Sequence, residues 1–184
     1  MTVFDDVQQL GDATTRAAPP DPQLVASVHQ FLAYEARLLD EGREEEWYEL
    51  LDDDLLYTIP IRQSTEPRSE EITPGAYRVR DTKAHIRTRL DRTLTGNAYS
   101  EVPPSRTMRL VGSVEVTATA TADIVEVCSA LLLYRQRGID PYFDLIPCRR
   151  NDRLRLTADG IRLLSREVIL TETSLATANL ATLL

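Results

Sequence analysis

Cysteine and histidine are scarce, with two of each in 184 residues. An iron–sulfur centre needs four Cys or His ligands at close spacings. Here Cys128, Cys148, His29 and His85 are scattered along the chain, so it is expected to hold none. Two cysteines also make neither a disulfide framework nor a CxxC site. Glycine is sparse, at seven residues, and no Gly-rich phosphate loop or Gly-x-Ser-x-Gly elbow is present. No run approaches the roughly 18 apolar residues of a membrane helix. Met1 to Leu10 carries Asp5 and Asp6 and no basic apolar stretch, so it does not read as a secretory signal. Basic charge is short as well. The net charge is −8, and phosphate contacts need clustered Lys and Arg, so nucleic acid is a poor partner. A cytoplasmic globular protein is the expectation, with 42% hydrophobic and 27% charged residues.

The charge is unevenly placed. Residues 1–60 hold 14 acids and 3 bases, a net of −11, while residues 61–184 hold 15 acids and 18 bases, a net of +3. Unlike charges on one chain suit contact between unlike faces. Residues 1–20 read as a flexible arm, polar and ending in Pro19-Pro20. Residues 21–184 read as one domain.

Asp21-Pro22 opens a helix, with Asp as the cap and Pro at the first helical position. Val25, Val28, Leu32 and Leu39 recur at helical spacing, and Gly42 is placed to stop it. A second helix runs from about Glu44 to Leu51, and Asp52-Asp53-Asp54 ends it. Leu55, Tyr57, Ile59 and Ile61 then alternate as a strand, with Pro60 marking an edge or a bulge. Residues 63–80 read as a long surface loop. Asp81 caps a third helix carrying Ile86, Leu90 and Leu94, and Gly96 stops it. Four strands follow. In the first, Met108, Leu110, Val114 and Val116 share one face, opposite Arg109. Ile124 to Arg137 is nearly continuous in apolar residues, which suits a strand covered on both faces. Tyr142 to Leu156 and Ile161 to Leu170 pair through the turn signal Asp159-Gly160. The apolar tail, Thr173 to Leu184, is expected to dock. The order of elements gives an α+β fold with a curved antiparallel sheet.

Chemistry is thin. A two-His-one-carboxylate iron site would need His29, His85 and an acid such as Asp81. Cys128 reads as inert core, whereas Arg149 and Arg150 beside Cys148 would lower its pKa. Tyr57, Tyr134 and Asp144 are the acid–base candidates, as a carboxylate in a sheet cavity can act as a base. The alternative for Asp144 is a salt bridge to a strand arginine, and for Asp52 to Asp54 a solvated turn.

Seven segments resemble, in order, the β subunits of aromatic-ring-hydroxylating dioxygenases. These are Phe31 to Asp40 with its EARLLD run, Glu46-Trp47, Asp54 to Arg62, Pro103 to Thr107 with Leu110-Val111, Leu132 to Arg135, Arg149 to Arg155, and Ile169-Leu170 with Asn179-Leu180. The sequence departs from the family pattern at Gly112, at Pro147-Cys148 and over 63–80. The resemblance implies a cystatin-like cone of the nuclear transport factor type, with helices packed on the concave side of the sheet. It implies a non-catalytic subunit, packed with an α subunit as three α and three β with β–β self-contacts. The α subunit would carry the Rieske [2Fe-2S] cluster and the mononuclear Fe(II). NAD(P)H would supply electrons through a reductase or ferredoxin. Glu35 and Arg37 would then pair, Trp47 and Tyr57 would fill the core, and Arg106, Arg149 and Arg150 would make interface contacts. Two other readings stand beside it. One is a stand-alone dehydratase or isomerase on the same cone, using Tyr57, Tyr134 and Asp144. The other is a ligand-binding or dimerising module.

Overall fold

The computed structural model describes residues 20–94, 104–138, 141–174, 177, 179–180 and 182–184. The N-terminal arm and the stop at Gly96 lie outside the described residues. Helix α1 spans Pro22–Asp40. The Asp21 carboxylate accepts from the Gln23 N–H at 3.0 Å, satisfying one of the free donors of the first turn. Gly42, at φ 69°, takes the left-handed conformation that ends the helix without a Cβ clash. Helix α2 is a single turn, Glu44–Tyr48, shorter than expected because β1 begins at once, as Leu51–Arg62. The three aspartates therefore lie inside the strand rather than in a solvated turn. Asp52 is buried, and Arg155 donates to both of its carboxylate oxygens.

Residues 72–82 are not loop but strand β2, Ile72–Thr82, preceded by a 3-10 turn at Arg68–Glu70. The strand is held by its ladder to β1 and carries no fully buried side chain, so it has no hydrophobic signature to read. Helix α3, Lys83–Leu94, follows directly; Asp81 ends β2 and pairs with Arg89 instead of capping. The remaining strands are β3 (Ser105–Ala118), β4 (Ile124–Arg137), β5 (Asp144–Thr157) and β6 (Gly160–Leu170).

The six strands form one sheet in the order β2-β1-β6-β5-β4-β3. Only β1 with β6 is parallel. Pro60 sits at a bulge, as expected, but on an interior strand. The inner face is covered by α1 and α3, and the core lies between them, around Leu32, Trp47, Tyr57, Ile86, Leu133 and Leu163. The tail docks as expected, with Leu183 and Leu184 buried.

A second bulge changes which residues face inward. Between Gly112 and Glu115 strand β3 carries one residue more than β4, and Ser113 sits at φ 48°. Side chains alternate with period 2, so one extra residue reverses the faces. Val114 and Val116 pack inward beyond the bulge. Before it, Arg109 points in, and Met108 and Leu110 point out, 61% and 62% exposed. The expectation that all four apolar residues share one face is corrected by this bulge.

Candidate functional site

Two places concentrate chemistry: the interior of the cone and the outer face of the sheet. In the interior, α1 presents Glu35 from within its apolar stripe. Strand β5 presents Arg150 and Asp152, and β6 presents Arg166; all four are buried. Arg166 donates to both oxygens of Glu35 at 2.8 Å and to both oxygens of Asp152 at 2.8 Å. It also reaches the Leu184 backbone oxygen at 3.2 Å. All three of its nitrogens are thus engaged. The Trp47 indole N–H donates to Glu35 at 3.1 Å. Arg150 is held more loosely, donating to Glu35 at 3.4 Å and to the Ser129 hydroxyl at 3.3 Å. Two carboxylates face two guanidiniums, so the cluster is neutral overall. Glu35 therefore pairs with Arg166 and Arg150, and not with Arg37, which lies over the Tyr34 ring.

The electrostatics oppose acid–base catalysis here. Burial alone would raise the Glu35 carboxyl, but Arg166, and after it Arg150, outweigh burial and hold it down at about 2. It stays ionised at any ordinary pH. Burial pushes the Tyr57 phenol up, and its oxygen accepts from the Leu184 N–H at 3.0 Å. Burial also pushes the Cys148 thiol up to about 11, overriding Arg150 and Arg166. The expected lowering by neighbouring arginines is thus reversed, since the strand points Arg149 outward and desolvation dominates.

Arginines also bind backbone carbonyls at the end of β6 and along the tail. Arg62 donates to the Leu170 oxygen, Arg78 to Thr173, Arg135 to Asn179, Arg89 to Leu180 and Arg109 to Leu183. Arg109 is itself paired with Asp40 at the end of α1, which also accepts from the Arg109 backbone N–H at 2.8 Å. Arg78, Arg89, Arg109 and Arg135 thus fasten the tail to the rest of the chain.

The acid–base candidates do not converge. Tyr57 is inside. Tyr134 is on the outer face, stacked on Phe143 with ring centroids 5.2 Å apart. Asp144 accepts from the Thr177 hydroxyl at 2.8 Å. The metal candidates are equally dispersed: His29 is exposed on α1, and His85 on α3 lies 3.9 Å from Asp81. Cys128 faces outward, half-buried. Among the described residues no group of three metal-ligating side chains comes together. The donor set does not fit an iron–sulfur cluster or a facial triad on this chain.

The outer face is different. Strand register lines up Met108, Tyr134 and Leu145 in one row, and Leu110, Leu132 and Pro147 in the next. Gly112, Ala130, Arg149 and Ile169 make the row after that. Among the described residues only Phe143, stacked on Tyr134, lies over these rows, so β4 is not buried on both faces, and Leu132 is 40% exposed. A shallow depression of about 380 Å³ opens beside Gly112 and Ala130. Arg106 and Arg149 are exposed on this face, whereas Arg150 is 1% exposed and turned inward, which corrects its reading as an interface contact. Contiguous exposed apolar rows mark an interaction site.

Residues 34–177 match the family model described as the ring hydroxylating beta subunit. The chain belongs to this family. It is 38% identical over 170 residues to the N,N-dimethyl phenylurea N-demethylase subunit beta of Sphingobium sp. (strain YBL2), spanning 92% of this chain and 97% of that one. It is 30% identical over 172 residues to the benzene 1,2-dioxygenase subunit beta of Pseudomonas putida, spanning 90% and 91%. Its fold matches a chain of naphthalene 1,2-dioxygenase, solved with indole bound in the active site, with a TM-score of 0.82 at 19% identity over 100% of this chain and 95% of that one. The chain is therefore a β subunit of a ring-hydroxylating oxidoreductase, and an α subunit is its partner. The α+β cone and the family reading are borne out, and the stand-alone dehydratase or isomerase gives way. No described helix is long and apolar enough to cross a membrane.

Proposed function

We propose that the chain is a structural, non-catalytic subunit that supports an iron-bearing α subunit in the catabolism of aromatic compounds, in the cytoplasm. The observation that carries this is the state of the cone interior. Glu35 is held ionised by Arg166 and Arg150, burial raises the Cys148 thiol and the Tyr57 phenol, and Leu183 and Leu184 of the tail are buried against them. The apolar rows of the outer sheet face supply an interface instead. Residues 21–184 act as one unit. The Rieske [2Fe-2S] cluster and the mononuclear Fe(II) belong to the α subunit. Three α and three β subunits assemble, and NAD(P)H supplies electrons through a reductase or ferredoxin. The names of both relatives carry an aromatic compound, which supports an aromatic substrate here. Arg106 and Arg149, exposed beside the apolar rows, are interface anchors, since a guanidinium binds a carboxylate bidentately.

The test is affinity capture of the tagged chain from its host, with an absorption spectrum and mass spectrometry of the eluate. A larger partner bearing an iron–sulfur spectrum is the expected result. A colourless eluate holding this chain alone, from cells that carry out the oxidation, overturns the proposal.

A further inference from the structure

Within the interior cluster Arg150 is held less completely than Arg166. Its side chain is 1% exposed. Its Nη1 reaches Glu35 at 3.4 Å and its Nε reaches the Ser129 hydroxyl at 3.3 Å, both long for a charged donor. Its Nη2 is buried, and among the described residues no acceptor lies within hydrogen-bond distance of it. Arg166, by contrast, engages Glu35 and Asp152 through all three nitrogens at 2.8 Å. A buried charged donor left without an acceptor is costly. The fully buried Ser129 hydroxyl accepts from Arg150 and has a proton of its own to place. Two neighbouring buried donors therefore call for one acceptor.

The strand register shows what lies beside them. Arg150 pairs with Ser129 across β5 and β4. Gly112 pairs with Ala130 and Glu115 with Cys128, so Ser129 alone stands opposite the two residues of the bulge, Ser113 and Val114. A bulge leaves its extra residue unpaired in the ladder, and its backbone polar groups need other partners. The bond to Ser129 draws the Arg150 guanidinium toward β4, and so toward that bulge.

We propose that this niche binds one water molecule, which accepts from Arg150 Nη2 and Ser129 Oγ and donates to a backbone oxygen freed by the bulge. Three polar partners are about the usual number for a buried water. The ligand is neutral because Glu35 and Asp152 already balance Arg150 and Arg166, and an added anion would be an uncompensated buried charge. The water joins the ion cluster to the bulge that turns Met108 and Leu110 outward, so the interior and the outer face are tied together through Ser129.

The experiment is a crystal structure of the full chain, from crystals grown in bromide, at a resolution that shows ordered waters. The expected result is a density peak about 3 Å from both Arg150 Nη2 and Ser129 Oγ, with no anomalous signal from bromide. A bromide signal at that point overturns the proposal. So does an Arg150 Nη2 bonded directly to a protein atom, or a map with no peak beside it. Ser129→Ala, in the same crystal form, is expected to lose or displace the peak. A peak unchanged in position and occupancy in that variant would overturn the placement between Arg150 and the bulge.

Discussion

Replacing Glu35 with glutamine removes one charge from a neutral cluster sealed in the core. Arg166 keeps Asp152, but Arg150 loses its carboxylate partner and retains only the Ser129 hydroxyl. Breaking a buried ion pair by removing one partner costs about 3–5 kcal/mol. The titration argues independently. Glu35 falls from 4.5 to about 2 on folding, and each unit is about 1.4 kcal/mol, so the linkage term is about 3 kcal/mol. A lowered carboxylate pKa contributes stability that is present above the unfolded value and lost as pH falls through the folded one. The contribution is thus complete at pH 7, down to about 1.4 kcal/mol at pH 3, and about 0.4 kcal/mol at pH 2. Urea unfolding of wild type and Glu35→Gln at pH 7 and pH 3 reads the difference directly, because every other carboxylate is common to both. The expected gap is about 3 kcal/mol at pH 7 and about half of that or less at pH 3. A gap below about 1 kcal/mol at pH 7, or one that does not change with pH, would refute the claim that Glu35 is held ionised by Arg166 and Arg150.

Three further outcomes are expected. Asp40→Ala leaves the buried Arg109 guanidinium without its carboxylate and frees the end of α1 from β3, lowering stability by about 3 kcal/mol in chemical unfolding; a loss within error of zero contradicts the pinning role. Tyr57→Phe orphans the buried Leu184 N–H and costs about 1–3 kcal/mol, while turnover per assembled enzyme stays at the wild-type level; turnover lost without lost assembly would restore Tyr57 as a catalytic group. Cys148, with its thiol pushed up to about 11 and buried, should resist a thiol reagent at pH 8 in the folded chain and react on unfolding, a contrast that Cys148→Ser removes; rapid labelling of folded protein at this position contradicts its placement.

Elements with a strong apolar period were legible. The stripe of α1, the alternation through β1 and the turn between β5 and β6 all stand where the pattern puts them. Strand β2 was not, because an edge strand held by backbone hydrogen bonds leaves no mark in side-chain hydropathy. Pro74 and Gly75 then make it look like loop. The facing of Met108 and Leu110 was misread for another reason: a bulge shifts the period by one residue, and nothing in residues 112–115 announces it strongly. The ion cluster did leave a signal. Glu35 falls on the same helical stripe as Val28, Leu32 and Leu39, where a lone carboxylate demands a partner. Its partners sit more than a hundred residues away, on β5 and β6, and only the fold brings them to it.

A cone of this kind becomes an acid–base catalyst only if some interior group has a pKa near the working pH and a free face toward substrate. Here neither condition holds. Glu35 is fixed at about 2, Cys148 is raised to about 11, Tyr57 is raised by burial and hydrogen-bonded to Leu184, and Arg166 has every nitrogen occupied. The same pairs that remove reactivity also tie α1, β5, β6 and the tail to one another at a single point. A cluster of this kind specifies how those elements meet, since any other packing would leave a buried charge unpaired. With the inside committed to holding its own shape, the surface left to do work is the uncovered outer sheet face. Its apolar rows keep their order only while the strands beneath hold their register.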